Sequence, residues 1–470
     1  MPYKDLREFM DTLRQRGELA VCKREVDRNI EIAKVTEKSS KTGGPAILFE
    51  KVKGCQTPVV TGLFGTVERA CLAIDATKYD AYKSMARGLE KPIPCKIVAG
   101  GPCKEVIKTG EEIDLREIPA LWHFKKDSHH FITATNCITK DPDSGVRNNS
   151  THRMAVIERD KLGLWVNVPQ HLRVIIKKYL ERGQPCPIAV AVGTDPAILV
   201  GGCCKVPYDM DELEYAGGIR GAPVELVKCE KLDLEVPATS ELVIEGEIVP
   251  GDEEGYVGKS VYVDEAPFAE VTGYYGIQRR SPVLHVRAIT HRKDYIYLGL
   301  GTAIPPSEHQ ILVVMGMQAD AYARTAPAVP KENIKAINPL LGSCGYTVAI
   351  SIKKTHPGQG KQVIYSVLSH SSLKRVIVVD EDIDVFDHVA LDWAVSMRSR
   401  AEDYILTPEM TGQALDPMVT PPNLITKVGI DATLPLEGDK KGRIEILRDL
   451  GPAFYPDLDE VNLKDYIGSS

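Results

Sequence analysis

The chain reads as a mixed α/β protein built from three consecutive regions. Three features predict this: a length of 470 residues, a long middle stretch of β-branched runs separated by turn residues, and a late alternation of strand-like and helix-like segments. That length exceeds one ordinary hydrophobic core, so two or three domains are expected. With 43% hydrophobic and 26% charged residues, the composition is that of a soluble globular protein. A formal net charge of −7 offers no basic surface for nucleic acid. No segment supplies the roughly 18 apolar residues of a membrane span, and the opening Met-Pro-Tyr-Lys-Asp-Leu-Arg-Glu-Phe lacks the apolar core of a secretion signal. Eleven cysteines are scattered from Cys22 to Cys344 without metal-type spacing. They predict a reduced, cytoplasmic chain in which most thiols act as small buried hydrophobes.

The opening α/β domain, residues 1–105, begins with a helix over 3–17. Tyr3, Leu6, Phe9, Met10 and Leu13 fall at helical spacing and Gly17 stops it. A strand over 18–22 and short apolar runs at 45–49 and 59–63, set between Gly and Pro, follow. Residues 106–300 hold β-branched runs at 156–159, 162–168, 188–192, 197–200, 240–248 and 283–289, which predict a large β-structure. Two helices interrupt it. One follows Pro169-Gln170-His171, with Leu172, Ile175, Ile176, Tyr179 and Leu180 on one face, and stops at Gly183; the other covers 209–218. Residues 301–470 contain a linker helix after Pro305-Pro306. Then come a strand at 346–353, a helix at 361–369, a strand at 375–379, a helix at 386–397 and a strand at 404–406. That alternation predicts βαβ units and a parallel sheet. Residues 431–470 read as a mostly polar tail.

Four stretches concentrate groups capable of chemistry. Asn148-Asn149-Ser150-Thr151-His152-Arg153 leads into a strand. The Asn148 carbonyl suits a hard cation, and in extended backbone Thr151 and Arg153 share one face while His152 takes the other. Pro169-Gln170-His171 opens a helix, where free N–H groups favour an anion and a neutral imidazole can bind metal. Asp209, Asp211, Glu212 and Glu214 sit in the first turns of the next helix, followed by Ala216-Gly217-Gly218, small enough for close approach of a backbone or a flat ligand. Asn148, His171 and Glu212 together offer an amide oxygen, an imidazole and a carboxylate, a hard set better suited to Mn²⁺ or Mg²⁺ than to structural Zn²⁺. The fourth stretch, Asp264 to Tyr275, holds Glu265 and Glu270 around Pro267-Phe268. A carboxyl against that apolar pair would be pushed toward its protonated form, making a proton donor. Taken singly, each stretch also reads as ordinary structure: a polar turn, a helix cap, carboxylates complementing a helix dipole, an acidic surface turn.

Taken in order, the four stretches resemble the UbiD family of reversible decarboxylases. Asn148 to Arg153 matches Asn-x-x-x-aromatic-Arg with His152 at the aromatic place, and Gln170-His171 matches the family's Gln-His. Asp211-Glu212 through Ala216-Gly217 to Gly221 matches the family's Ser/Asp-Glu-x-x-x-Ala-Gly stretch, continuing into 222–228. Glu265-Ala-Pro-Phe-Ala-Glu270-Val-Thr-Gly273-Tyr274-Tyr275 matches its Glu-Gly-Pro-Phe-Gly signature, with Ala266 and Ala269 in place of the two glycines. Val-Asp-Glu-Asp-Ile-Asp at 379–384 and the opening Asp5-Leu6-Arg7-Glu8-Phe9 also fit.

The resemblance implies a split β-barrel flavin-binding domain between a small N-terminal α/β domain and a C-terminal α/β oligomerisation domain, assembled as a homodimer or hexamer. It implies prenylated FMN, supplied by a separate flavin prenyltransferase, with Mn²⁺ (or Mg²⁺) on Asn148, His171 and Glu212 and K⁺ nearby. Thr151, His152, Arg153, Gln170, Cys204, Val206 and Lys374 join the metal ligands in the cofactor site, and Arg153, Glu265 and Glu270 form the catalytic network. The reaction implied is exchange of CO₂ on an aromatic, heteroaromatic or α,β-unsaturated carboxylic acid. The apolar Leu298–Ile304 stretch tilts the pocket toward a less polar acid. A flavin or metal-binding module without catalysis would leave Glu265 and Glu270 unexplained. A metal-dependent hydrolase using His129, His130 and His171 would need adjacent histidines that point apart on a strand. Gly358-Gln-Gly360 lacks the third glycine of a dinucleotide fingerprint.

Overall fold

The structure, a computed structural model, describes residues 3–167, 170–276, 280–302, 304–370, 372–413, 415–419 and 423–436. Pro169 and most of the expected tail, 437–470, lie outside the described residues.

The opening helix, Leu6–Gln15, is capped by the Asp5 carboxylate, which accepts from Glu8 N, and buries Leu6, Phe9, Met10 and Leu13. Its four-stranded sheet runs Leu19–Val26, Ala46–Val52, Val59–Thr61 and then Tyr297–Leu298. The last strand returns from the end of the middle region, so one apolar core joins Phe9 and Phe64 to Leu164, Val190 and Ile311.

The middle region is a ten-stranded sheet. Along its path lie Phe131–Ile132, Met154–Glu158, Lys161–Leu164, Arg280–His291, Leu242–Ile248, Cys186–Val192, Thr135–Lys140 and Arg147–Ser150, all antiparallel. Val106–Thr109 and Tyr262–Asp264 add to the long Arg280–His291 strand. The end strands are not paired with each other, so the split-barrel region is an open sheet among the described residues. The run at 197–200, expected as strand, is helical. Asp195 accepts from Ala197 N and Pro196 occupies the first turn of helix Pro196–Gly202, a start that fixes φ where a helix needs it.

In the C-terminal region, Thr347–Ile352, Arg375–Asp380 and Leu424–Ala432 are parallel, flanked by antiparallel Ile334–Pro339 and Tyr404–Thr411. The expected all-parallel order is therefore corrected. The 404 strand is followed by Leu424–Ala432 with no helix between them among the described residues, and without a helical crossover the economical pairing is antiparallel. Alternate residues face opposite ways, as a period of two requires. Val348, Ile350 and Ile352 pack with Val363 and Ile364 of helix Gln359–Leu368, whereas Ala349 packs with Leu391 and Ala394 of helix His388–Arg398.

The 18-residue helix Glu308–Thr325 crosses between the regions. Glu308, fully buried, accepts from Phe64 N at 3.2 Å and Gly301 N at 2.9 Å. A Cβ at Gly316 would meet the Cys203 carbonyl oxygen at 2.4 Å, so glycine there lets the helix press against the 203–204 backbone. The small residues at 216–218 serve packing too: a Cβ at Gly218 would meet Lys91 O at 2.6 Å and Gly88 Cα at 2.8 Å. Close approach is made there by helix Ala81–Glu90 rather than by a ligand. No helix among the described residues is long and apolar enough to cross a membrane.

Candidate active site

A cavity of about 670 Å³ opens between the middle sheet, helix Glu308–Thr325 and the C-terminal region, well inside the size range of small-molecule sites. The edge strand Arg147–Ser150 brings Asn148 to its wall. Asp211 caps helix Glu212–Arg220 by accepting from Leu213 N at 2.8 Å, which leaves the Glu212 side chain free to face the lumen. Glu212 Oε1 accepts from Asn148 Nδ2 at 2.8 Å and Oε2 from Asn149 N at 2.8 Å, and His171 Nδ1 stands 3.4 Å from Oε1. His171 opens helix His171–Glu181, its ring edge-on to Tyr208. Burial pushes the Glu212 carboxyl above its ordinary range. A buried carboxylate met by two N–H donors and an imidazole fits a hard cation. Asn148 can turn its carbonyl toward that cation, because the two ends of an amide are interchangeable in outline.

Arg153 lines the same cavity. Its Nε and Nη2 donate to Glu265 at 2.7 and 3.2 Å, its Nη1 donates to Glu270 at 2.6 Å, and its guanidinium lies 4.9 Å from the Phe268 ring centroid. Burial opposes the Arg153 charge, but Glu270 and Glu265 outweigh it and the pKa rises. The immediate partner of both carboxylates is thus a guanidinium, not only the apolar flank that the sequence suggested. Glu270 lines the cavity; Glu265, fully buried, stands behind Arg153. Neither Ala266 nor Ala269 adopts a positive φ, so replacing the family's glycines costs this loop nothing.

Thr151, His152, Gln170, Cys204 and Val206 also line the cavity. His152 Nε2 pairs with Ser150 Oγ at 2.9 Å, and burial, then Arg153, lowers its pKa to about 4. Lys374 is not brought in: its Nζ pairs with Asp416 at 2.7 Å and lies over the Tyr346 ring, outside the lining. His129 and His130 also stay outside, bonded to Ser128 Oγ and Asn29 Oδ1.

Sequence reasoning missed Asp127, which accepts from His123 N, Phe124 N and Ala269 N at 3.0, 2.9 and 3.3 Å. Ser128 adds Oγ to Glu265 O at 2.6 Å and N to Pro267 O at 2.9 Å. These two residues clamp the Glu265–Glu270 loop. It also missed His309, a cavity-lining imidazole near Glu270 and Arg153 whose pKa burial lowers. No local pattern marks any of the three.

Three family models match in succession: the 3-octaprenyl-4-hydroxybenzoate carboxy-lyase N-terminal domain at 10–89, the Rift-related domain at 79–305 and the C-terminal domain at 313–432. The chain belongs to the UbiD family and is a carboxy-lyase by class. It is 35% identical over 440 residues to anhydromevalonate phosphate decarboxylase of Methanothermobacter thermautotrophicus, covering 93% of this chain and 98% of that one. The UbiD-class enzyme HmfF of Pelotomaculum thermopropionicum, solved with FMN, superposes with a TM-score of 0.88 at 38% identity, covering 98% and 100% of the two chains. Vanillic acid decarboxylase of Sedimentibacter hydroxybenzoicus gives 0.84 at 31%, covering 94% and 95%.

Proposed function

We propose that the chain catalyses reversible, non-oxidative decarboxylation of an aromatic, heteroaromatic or α,β-unsaturated carboxylic acid, in the cytoplasm, with prenylated FMN in the cavity. The observation that carries this reading is Arg153 held by Glu265 from behind and by Glu270 at the wall. The same cavity holds buried Glu212 with Asn148 and His171. Structures of HmfF with FMN and with prFMN support the choice of cofactor.

When bound, the flavin supplies the electron sink that decarboxylation at an sp² carbon otherwise lacks. Asn148, His171 and Glu212 would hold Mn²⁺ or Mg²⁺ beside the flavin phosphate, with K⁺ nearby. Thr151, His152 and Gln170 would line the flavin bed. Arg153 orients the substrate carboxylate through a charge-assisted pair. Glu270, on the lumen side, is the group placed to deliver a proton to carbon after CO₂ leaves. Glu265 keeps the guanidinium fork in place. Phe268, Val271, Leu300, Val313 and Met317 line the cavity and suit an unsaturated or aromatic body. A flavin prenyltransferase supplies the cofactor.

Expressed with such a prenyltransferase, the purified chain should carry a flavin heavier than FMN by one prenyl group and release CO₂ from members of a panel of aromatic and unsaturated acids. Expressed without it, the chain should be inactive. Absorption and mass spectra that find no flavin under either condition overturn the reading.

A further inference from the structure

Lys205 follows helix Pro196–Gly202 on a loop that brackets the proposed metal ligands. At one end of the loop, Gly202 O accepts from Thr151 N at 3.1 Å and Cys203 Sγ lies 3.6 Å from Thr151 Oγ1. At the other, the Tyr208 ring packs edge-on to His171 at 5.0 Å. Lys205 thus lies on a loop that touches the Asn148–Arg153 segment at one end and His171 at the other, and it lines the same cavity.

Among the described residues Lys205 makes no ion pair. Its nearest polar neighbour is His370 Nε2 at 3.5 Å, and that nitrogen does not serve as an acceptor. His370 Nδ1 accepts from Ser372 N at 3.0 Å, so the ring proton of the neutral tautomer is on Nε2, which faces Asp320 Oδ2 at 3.4 Å. Asp320 is in turn occupied by Arg324 Nε at 2.7 Å. Protein packed around the ammonium lowers its pKa; the Asp320 carboxylate opposes that shift and Arg324 adds to it. The group is thus a cation on the cavity lining whose one nearby carboxylate is too far for an ion pair and already engaged by Arg324, so an oxyanion in the cavity would relieve it.

We propose that Lys205 is a direct ligand of the cofactor's terminal phosphate. This rests on the reading that the cavity takes a flavin mononucleotide. A phosphate monoester carries a charge of about −1.5 to −2 at neutral pH. A divalent cation on Glu212 leaves one unit of positive charge, and Lys205 supplies the second. Lys374, tied to Asp416, is not free to do so. An anionic substituent on the substrate has the same chemistry as the phosphate, and FMN set against riboflavin separates the two.

The test is flavin fluorescence quenching of the cofactor-free protein in Mn²⁺, with FMN and riboflavin as probes. Wild type should bind FMN more tightly than riboflavin. Lys205→Met should weaken FMN by about 10- to 100-fold, the worth of one charge-assisted hydrogen bond, while riboflavin binding, which also reports an intact fold, stays put. Lys205→Arg should keep most of the preference. If Lys205→Met retains the wild-type FMN-to-riboflavin ratio, the assignment is overturned, the flavin reading stands, and Lys205 serves another anion. A wild type that does not distinguish FMN from riboflavin instead removes the flavin-phosphate reading itself.

Discussion

At the residue scale, Glu265 and Glu270 contact the same guanidinium yet differ in what else they can touch. Only Glu270 lines the cavity, so only it can reach a substrate carbon. Glu270→Gln should keep the flavin but lose about 10²- to 10⁴-fold in turnover, the usual worth of a positioned acid. It should also stop exchanging the product hydrogen with D₂O. Glu265→Gln should be milder, since the fork of Arg153 keeps one of its two anchors. Brisk D₂O exchange by a flavin-loaded Glu270→Gln protein would assign the proton to a water instead. Glu212 allows a separate measurement. Its carboxylate gathers Asn148, Asn149 and His171, so Glu212→Gln should lower bound Mn²⁺ and bound flavin together in elemental and flavin analyses. Full flavin occupancy without the metal would sink the bridging arrangement.

At the element scale, helix His388–Arg398 presents two apolar faces. Leu391 and Ala394 pack on the sheet, while Val389, Trp393 and Met397, four residues apart, are 78%, 43% and 61% exposed. The edge strand Tyr404–Thr411 adds Tyr404 and Leu406, 42% and 67% exposed. An apolar stripe near an open sheet edge invites a partner. A homo-oligomer through this region is expected, and Val389→Asp with Met397→Asp should shift light scattering at micromolar protein to monomer, each lost side chain costing about 1.5–3 kcal/mol of burial. A wild-type monomer under those conditions would rule it out. This helix was legible from sequence because its period of 3.6 is local, and the four site segments because each carries its own motif. Other elements were not. Ala-Ile-Leu-Val at 197–200 suits a strand or a helix equally, and the deciding signal was the Asp195-Pro196 start. Strand Leu424–Ala432 was hidden by Lys427, fully buried, whose Nζ donates to Leu368 O at 3.1 Å and His370 O at 2.5 Å. Only tertiary carbonyls make a lysine tolerable there. Lys205 and His309 were unreadable for the same reason, since their partners arrive from distant segments, and the role of Asp127 was hidden because the loop it holds reaches it only through Ala269 N.

At the scale of the whole molecule, three buried histidines make stability depend on pH in all its parts. His123 lies behind the Glu265–Glu270 loop, His152 beside Arg153 and His370 in the C-terminal region, and burial foremost brings each to about 4. In the unfolded chain a histidine takes its proton near 6.5. Between those values protons bind the unfolded state preferentially, so stability is full above about 6.5 and falls as pH drops toward 4, by about 2 kcal/mol per histidine at pH 5. Asp127, Asp195 and Asp380, raised to about 6 by burial, act with the opposite sign. The folded state takes up their protons first, which returns about 1.4 kcal/mol each at pH 5. The two sets oppose each other, so the wild-type slope alone does not isolate a histidine. A single replacement does. His123 Nε2 donates to Leu300 O at 3.1 Å, and glutamine can keep an N–H on that carbonyl without titrating. Between pH 7.5 and 5, His123→Gln should therefore lose about 2 kcal/mol less than wild type, read as the difference in urea midpoints multiplied by the slope. Parallel midpoint curves for the two proteins would show that His123 already carries its proton in the folded state, and the burial that holds it neutral would have to be abandoned.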